Sequence, residues 1–280
     1  LSIQDLIAAK SDNLTQTERR IARCVVEEPT RIAFGTVADL ARMAGTSRPS
    51  VVRFAAKLGF GGYSELQALI RQDVARQLST PGQRIRHPDP QAAVRGSIER
   101  AIHSTFASLD EARVASLAAP LVSARHVWIL SGETSMAGAH VLQSGLTMLR
   151  PDVQLVFEHS AGRDLCGATT GDAAVVFDFA RYRRAPMTAA RTLADMGVAL
   201  VAITDGPLSP LATLTSNWCA LSIPAVGPFD SAVPAVVAAE LIIARVAHEL
   251  GDAARARIDQ LEMLWQRTAT YLEYTSRDER

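Results

Sequence analysis

The chain is poor in cysteine: three in 280 residues, Cys24, Cys166 and Cys219. They are isolated, odd in number and form no CxxC pair, which excludes a disulfide framework and a zinc ribbon; buried structural thiols in a reducing compartment are expected instead. Six histidines show no ligand spacing, and a metal site needs three or four converging ligands, so no metal is expected. Net charge is also lacking, with 29 Lys+Arg against 29 Asp+Glu, which argues against a protein that coats nucleic acid through bulk charge. No apolar run approaches the length of a membrane span, and the first residues are polar and charged, so neither a membrane anchor nor a leader is expected and a cytoplasmic location follows. There is no Walker A motif, no GxGxxG, no nucleophile elbow and no recognisable Ser–His–Asp set, so the expectation is a chain without a cofactor and without enzymatic activity.

One further absence is local. Between Leu40 and Ser64 there is no acidic residue, while Arg42, Arg48, Arg53 and Lys57 supply four positive charges. The stretch TVADLARMAGTSRPSVVRFAAK (36–57) reads as two short helices about a turn. Thr36 is the cap of the first, with Val37, Leu40, Ala41 and Ala44 at helical spacing. Gly45 supplies the left-handed stop. Thr46 or Ser47 caps the second helix, with Pro49 in its first turn. Val51, Val52, Ala55 and Leu58 give that helix an apolar back, and Arg48, Ser50, Arg53 and Lys57 project forward. Helix, glycine turn and polar-fronted helix form a helix-turn-helix pattern, and the basic front suits double-stranded DNA. Arg48, Ser50 and Arg53 are expected in the major groove, with Thr46 and Lys57 on phosphates. The competing reading is a helical hairpin with a solvated basic face.

Around that motif the length suits two domains. Helices are expected at 3–9, 15–27 (ending before Pro29) and from Ser64 to about Leu78, making an all-α domain of about five helices over 1–78. STPGQRIRHPDP (79–90), with three prolines and no apolar periodicity, reads as a linker. Two helices, about 91–109 and 111–123, open a domain over 91–280. From His126 the period changes: HVWIL, VQLVF, AAVVFDF, VALVAIT and WCALSI are short β-rich runs, most of them separated by helical segments at 135–149, 185–196 and 208–215. That alternation predicts a central parallel five-stranded sheet in a Rossmann-like three-layer α/β/α arrangement. Two helices, 232–250 and 252–273, finish the chain; the apolar first of them calls for burial, partly at a subunit interface.

Ligands of open parallel sheets bind beyond the carboxyl ends of the strands. Three loops fall there: SGETSMAGAH, ARYRRAP and DGPLSPLA. Each leads toward a helix N-terminus, a natural place for an anion. Gly132, Thr134, Ser135 and Thr204 offer backbone and hydroxyl contacts. Arg181, Tyr182 and Arg184 offer guanidinium and phenol groups for a phosphate or carboxylate. Ordinary helix caps, a solvated basic turn or an intersubunit ion pair are the competing readings. Glu158 is a lone carboxylate that could act as a base and is more often structural.

The phrases SRPSVVRFAAKLGFGGYSELQ, GETSMAGA, GDAAVVFDFARY and ITDGPLSPLA together resemble the RpiR-type (MurR/RpiR) bacterial transcriptional regulators, an N-terminal helix-turn-helix domain followed by a sugar-isomerase (SIS) domain. The resemblance spans about residues 3–273. It implies a cytoplasmic regulator that binds operator DNA as a homodimer or homotetramer, with a phosphosugar or related metabolite sensed in the SIS domain. SIS domains usually carry an SxSGxT phosphate loop after the third strand, where this chain has FARYRRA; the first loop has Glu133 where a glycine is usual. A sugar acid or another carboxylate is therefore an alternative effector to a phosphosugar. The rivals are a sugar-phosphate isomerase with an added helical domain, against which the complete helix-turn-helix pattern and the lack of an acid–base pair count, and an architectural DNA-binding protein whose second domain only oligomerises.

Overall fold

The computed structural model describes residues 3–8, 10, 13–78, 81–86, 91–207 and 209–272. Its contacts divide the chain into two units: Leu1–Arg95 with Gly206–Leu208 and Pro224–Asp230, and Gly96–Asp205 with Ser209–Ile223 and Ser231–Arg280.

In the first unit, α1 (Ile3–Ala8), α2 (Gln16–Glu27), α3 (Pro29–Phe34), α4 (Val37–Met43), α5 (Arg48–Leu58) and α6 (Tyr63–Leu78) enclose one apolar core. Ile21, Val25, Ile32, Leu40, Val51, Phe54, Leu66 and Ile70 are its buried centre. Two capping boxes punctuate it. Thr15 and Glu18 exchange backbone bonds at the head of α2 (2.7 and 3.3 Å), and Thr36 and Asp39 do the same at the head of α4 (2.9 and 3.2 Å). Each satisfies amide donors that a helix start leaves unpaired.

Two local expectations need correction. Pro29 ends α2 and also opens α3, because a proline in the first turn lacks an N–H that would have no partner there. Val52 is not part of the apolar back of α5: it is 42% exposed, and Phe54, fully buried, takes that place. Within the stretch read as a linker, Pro81–Arg86 forms a short helix, α7; residues 79–80 and 87–90 lie outside the described residues.

α8 (Gln91–Ser108) and α9 (Glu111–Ser123) lead to β1 (Val127–Ser131). Then come α10 (Met136–Leu149), β2 (Val153–Leu155), α11 (Ala161–Asp164), β3 (Ala173–Phe177), α12 (Arg184–Asp195), β4 (Ala199–Thr204) and β5 (Trp218–Ala220). All pairings of this five-stranded sheet are parallel, in the order β2-β1-β3-β4-β5, with Val127 opposite both Val153 and Ala173. Strand alternation sorts side chains between two layers. Val127, Ile129, Val175, Phe177, Val201 and Ile203 face a core built with α9, α10 and the long α13 (Val233–Leu250). Trp128, Leu130, Ala174, Val176, Leu200 and Ala202 face Ala190 and Leu193 of α12.

α10 and α13 pack closely because Gly138 has no side chain: a Cβ there would lie 2.8 Å from Ala235 Cβ and 3.0 Å from its backbone. The last helix among the described residues is α14 (Asp252–Arg267), which stops short of the 252–273 expected. The helix expected at 208–215 is only a single 3-10 turn, Pro210–Thr213, capped by Ser209. A short antiparallel pair, β6 (Ala225–Val226) and β7 (Phe229–Asp230), has no counterpart in the sequence reading; it falls in the first unit, where Arg84 pairs with Asp230 at 2.6 Å. Cys219 is buried, but Cys24 is only half-buried and Cys166 is exposed, so a buried structural thiol describes one cysteine of the three.

Candidate functional site

The first surface is α5. Gly45 adopts φ +59°, and Thr46 N–H returns to Ala41 C=O at 2.8 Å, which closes α4 and turns the chain. Ser47 then caps α5: its Oγ accepts from Ser50 N–H at 3.4 Å and lies 3.0 Å from Ser50 Oγ. That cap fixes the angle at which the helix leaves the turn. Arg48, Pro49, Val52, Arg53 and Ala56 form the exposed side, with Thr46 and Ser50 half-exposed beside them. Arg53 reaches Ser50 Oγ at 3.2 Å. Among the described residues no carboxylate pairs with Arg48 or Arg53.

Lys57 stands apart from this group. Its ammonium donates to Glu18 Oε2 at 2.7 Å and to Asn13 C=O at 2.5 Å, tying α5 to the head of α2. Burial alone would raise the Glu18 carboxyl; the bonds from Lys57 and Thr15 outweigh it and hold the group below its usual range. Four of the five residues expected to face DNA are thus brought together, and the fifth is engaged in the scaffold.

The second region is the carboxyl end of the five-stranded sheet. Gly132 N–H donates to Phe177 C=O at 3.0 Å, binding the loop after β1 to the end of β3. Ser135 is fully buried, with its hydroxyl 2.8 Å from Phe177 C=O and 3.0 Å from Gly132 C=O. Thr204, also fully buried, donates to Asp178 C=O at 2.8 Å and lies 2.6 Å from Ser209 Oγ. Both hydroxyls expected to meet a ligand therefore hold loops together. The side chain of Thr134 lies outside the described residues.

Two carboxylates that sequence reasoning missed organise the loop after β3. Asp178, 2% exposed, accepts from Arg183 N–H at 2.9 Å and from Phe179 N–H at 3.2 Å. Burial pushes its carboxyl up to about 6, a rise the two amide bonds oppose and the nearby Asp205 charge assists. Asp205 accepts from Ala180 N–H at 2.8 Å and from the Tyr182 hydroxyl at 2.5 Å. Burial and that carboxylate raise the Tyr182 phenol far above its ordinary range. Between these anchors Arg181 sits at φ +71°, a left-handed conformation that favours glycine. Arg181 and Arg184 are exposed.

A cavity of about 260 Å³ opens at the same end of the sheet, under the loops after β1 and β2. Leu130, Met136, Val156, Phe157, Pro186 and Ala189, with Ala161 and Ala185, supply apolar walls; Ser131, Gly132, Glu133, Glu158, His159 and Arg183 complete its lining. Arg183 forms an ion pair with Glu133. Among the described side chains expected to bind an effector, Gly132 lines this cavity, and Ser135, Arg181, Tyr182, Arg184 and Thr204 do not. The sequence signal for Arg183 was its place in the RYRR cluster, but which arginine of a cluster borders the cavity depends on the start of α12. The signal for Asp178 was a carboxylate inside the apolar run VVFDF.

The chain's likenesses agree with this architecture. Residues 2–77 match the helix-turn-helix domain of the rpiR family. The HexR transcriptional regulator of Pseudomonas aeruginosa is 27% identical over 224 residues, 76% of this chain and 77% of that one. An uncharacterised helix-turn-helix-type regulator of Caldanaerobacter subterraneus is 25% identical over 214 residues, 74% of this chain and 75% of that one. Among solved structures, the sugar isomerase domain of an RpiR transcription factor from Sphaerobacter thermophilus superposes with a TM-score of 0.58 at 21% identity, covering 61% of this chain and 97% of that one. The Vibrio vulnificus NanR protein, complexed with ManNAc-6P, superposes with a TM-score of 0.55 at 18% identity over 95% of this chain and 99% of that one. The chain thus joins a helix-turn-helix domain matching that of the rpiR family, at residues 2–77, to an α/β domain with the sugar-isomerase fold.

Proposed function

We propose that this protein is a cytoplasmic regulator that binds operator DNA through α5 as a homodimer or homotetramer and adjusts that binding to a small anionic metabolite held in its second domain. The functional division follows the sequence: residues 1–78 for DNA, 79–90 as connection, and 91–280 for the effector and for assembly. The observation that carries the DNA reading is the exposed face of α5, where Arg48 and Arg53 stand without a carboxylate partner among the described residues. A guanidinium there can take a guanine edge through two bonds, and the exposed Val52 offers an apolar contact for a thymine methyl group. Thr46 and Ser50 suit backbone phosphates. Lys57, engaged by Glu18, is a strut that sets the angle of α5 and not a phosphate ligand.

For the effector we propose the cavity at the carboxyl end of the sheet, with Gly132, Glu133 and Arg183 at its mouth and the Tyr182–Asp205 bond holding the neighbouring loop. A phosphosugar, as in the NanR complex, a sugar acid and another carboxylate all belong to the anionic class. Coupling requires that the ligand prefer one arrangement of the assembly over another. The test is selection of sheared genomic fragments by the purified full chain. A few enriched loci with a footprint across two half-sites support the reading; uniform capture of all fragments contradicts it.

A further inference from the structure

The loop after β3 is where an anionic ligand would seek amide donors, and several of those donors are already taken. Phe179 N–H and Arg183 N–H are bonded to Asp178, and Ala180 N–H is bonded to Asp205. Two carboxyl groups of the chain itself fill the nest. A phosphate entering it would have to displace one of them and remain beside both. Asp178 is 2% exposed, so an anion seated on its amides would lie beside a carboxyl already withdrawn from water. Crowding anionic groups in so dry a place is costly.

The cavity beside this loop has different chemistry. Its walls are mostly carbon: Leu130, Met136, Val156, Phe157, Pro186 and Ala189. Sugar hydroxyls placed against them would give up water without gaining partners. Arg183 is the one arginine or lysine among the lining residues, and two carboxylates, Glu133 and Glu158, share the mouth. One permanent cation beside two anions, with His159 the other basic side chain of the lining, suits a ligand of one negative charge better than a phosphate monoester. The Glu133–Arg183 pair is held by side chains that are 78% and 50% exposed, so breaking it costs little. An incoming carboxylate can take the place of the Glu133 carboxylate on the guanidinium through two parallel bonds.

We infer that this cavity binds a small monocarboxylate with an apolar body, which replaces Glu133 on Arg183 and lays its carbon portion against Leu130, Met136 and Phe157, and that the loop after β3 does not take a phosphate. The inference rests on the reading of the second domain as an effector domain and narrows the effector's class. Loss of the Glu133 contact is the local change by which occupancy is sensed.

Isothermal titration calorimetry on the full chain tests it, with phenylacetate and hexanoate as apolar monocarboxylates and with gluconate, inorganic phosphate and glucose 6-phosphate as polar anions. At least one apolar carboxylate binds saturably and the polar anions give no binding heat. Glu133→Gln, which frees the guanidinium, tightens carboxylate binding about fivefold, and Arg183→Met weakens it more than about tenfold. Saturable binding of phosphate or glucose 6-phosphate overturns the inference. So does silence of both apolar carboxylates with folded wild type, or equal carboxylate binding by wild type and both variants. Because the readout is heat and not DNA affinity, the regulatory reading fails separately: carboxylate binding as described, with operator affinity unchanged at saturation, upholds the ligand class and removes the coupling.

Discussion

The helical N-terminal unit and the α/β unit place their charges in opposite ways. On α5 the arginines 48 and 53 point to solvent without carboxylate partners among the described residues, and the one basic side chain of that helix with an internal role, Lys57, holds the scaffold. At the end of the parallel sheet the carboxylates turn inward and consume the loop's own amides, while Arg183 pairs with Glu133. An outward, uncompensated charge is suited to a large polyanion that brings its own counter-charge. An inward, compensated cluster is suited to shaping a small site and rejecting the wrong anion.

The contrast can be broken most decisively at α5. Replacing both Arg48 and Arg53 by alanine removes about 1–3 kcal/mol of base discrimination for each bidentate contact. The double variant is expected to lose specific operator binding while circular dichroism and melting temperature stay at wild-type values, since neither side chain is buried.

The next largest effect belongs to Asp178. Its carboxyl is raised to about 6 in the folded chain, so the native state holds the proton more tightly than the unfolded state does. Between pH 4 and 6 the native state therefore binds more protons, and its stability falls as pH rises through that window. Asp178→Asn removes this term. Denaturant titrations should show wild type losing up to about 3 kcal/mol relative to the variant between pH 4 and pH 7. A constant difference across that range would mean that the Asp178 carboxyl titrates alike in the folded and unfolded chain and that water reaches it in the loop.

Arg181→Gly sharpens the comparison from the other side. The left-handed backbone at Arg181 costs roughly 1 kcal/mol for a residue with a Cβ. Glycine there should raise the melting temperature by a few degrees and leave carboxylate binding unchanged, because Arg181 does not line the cavity. The smallest effect is expected at Lys57. The pair with Glu18 is partly exposed, at 32% and 16%, so Lys57→Met should cost less than about 1 kcal/mol and reduce DNA affinity only modestly. A loss as deep as that of the arginine double variant would return Lys57 to the DNA face.

The legibility of these features follows their range along the chain. The helix-turn-helix is written within 22 residues: the Thr36 cap, the Gly45 turn, the Ser47 cap and the Pro49 start are each local signals, and each appears where its residue type demands it. The alternating β-rich and helical segments likewise announce a parallel sheet, and five of five strand runs are in it. The failures are non-local. Val52 and Phe54 differ by two positions on one helix, and only the packing of neighbouring helices decides which is inside. Ser135 and Thr204 read as ligand hydroxyls because their bonds run to residues 42 and 26 positions away. The choice of Arg183 over Arg181 and Arg184 depends on where Asp178 pins the backbone. Strand-end loops carry the right residue types for a site, but which of them border the cavity is settled by tertiary contacts that no window of sequence contains.

One measurement bears most directly on the claim that α5 carries the function of the first unit. A duplex enriched by the wild-type chain from a random pool is titrated by fluorescence anisotropy at stepped salt concentrations, beside a scrambled duplex, with wild type and with the Arg48→Ala, Arg53→Ala double variant. The account predicts tight wild-type binding to the enriched duplex that weakens as salt rises, weak binding to the scrambled one, and no preference between them for the variant. Equal discrimination by wild type and variant would contradict it and place the DNA contact on another surface of the molecule.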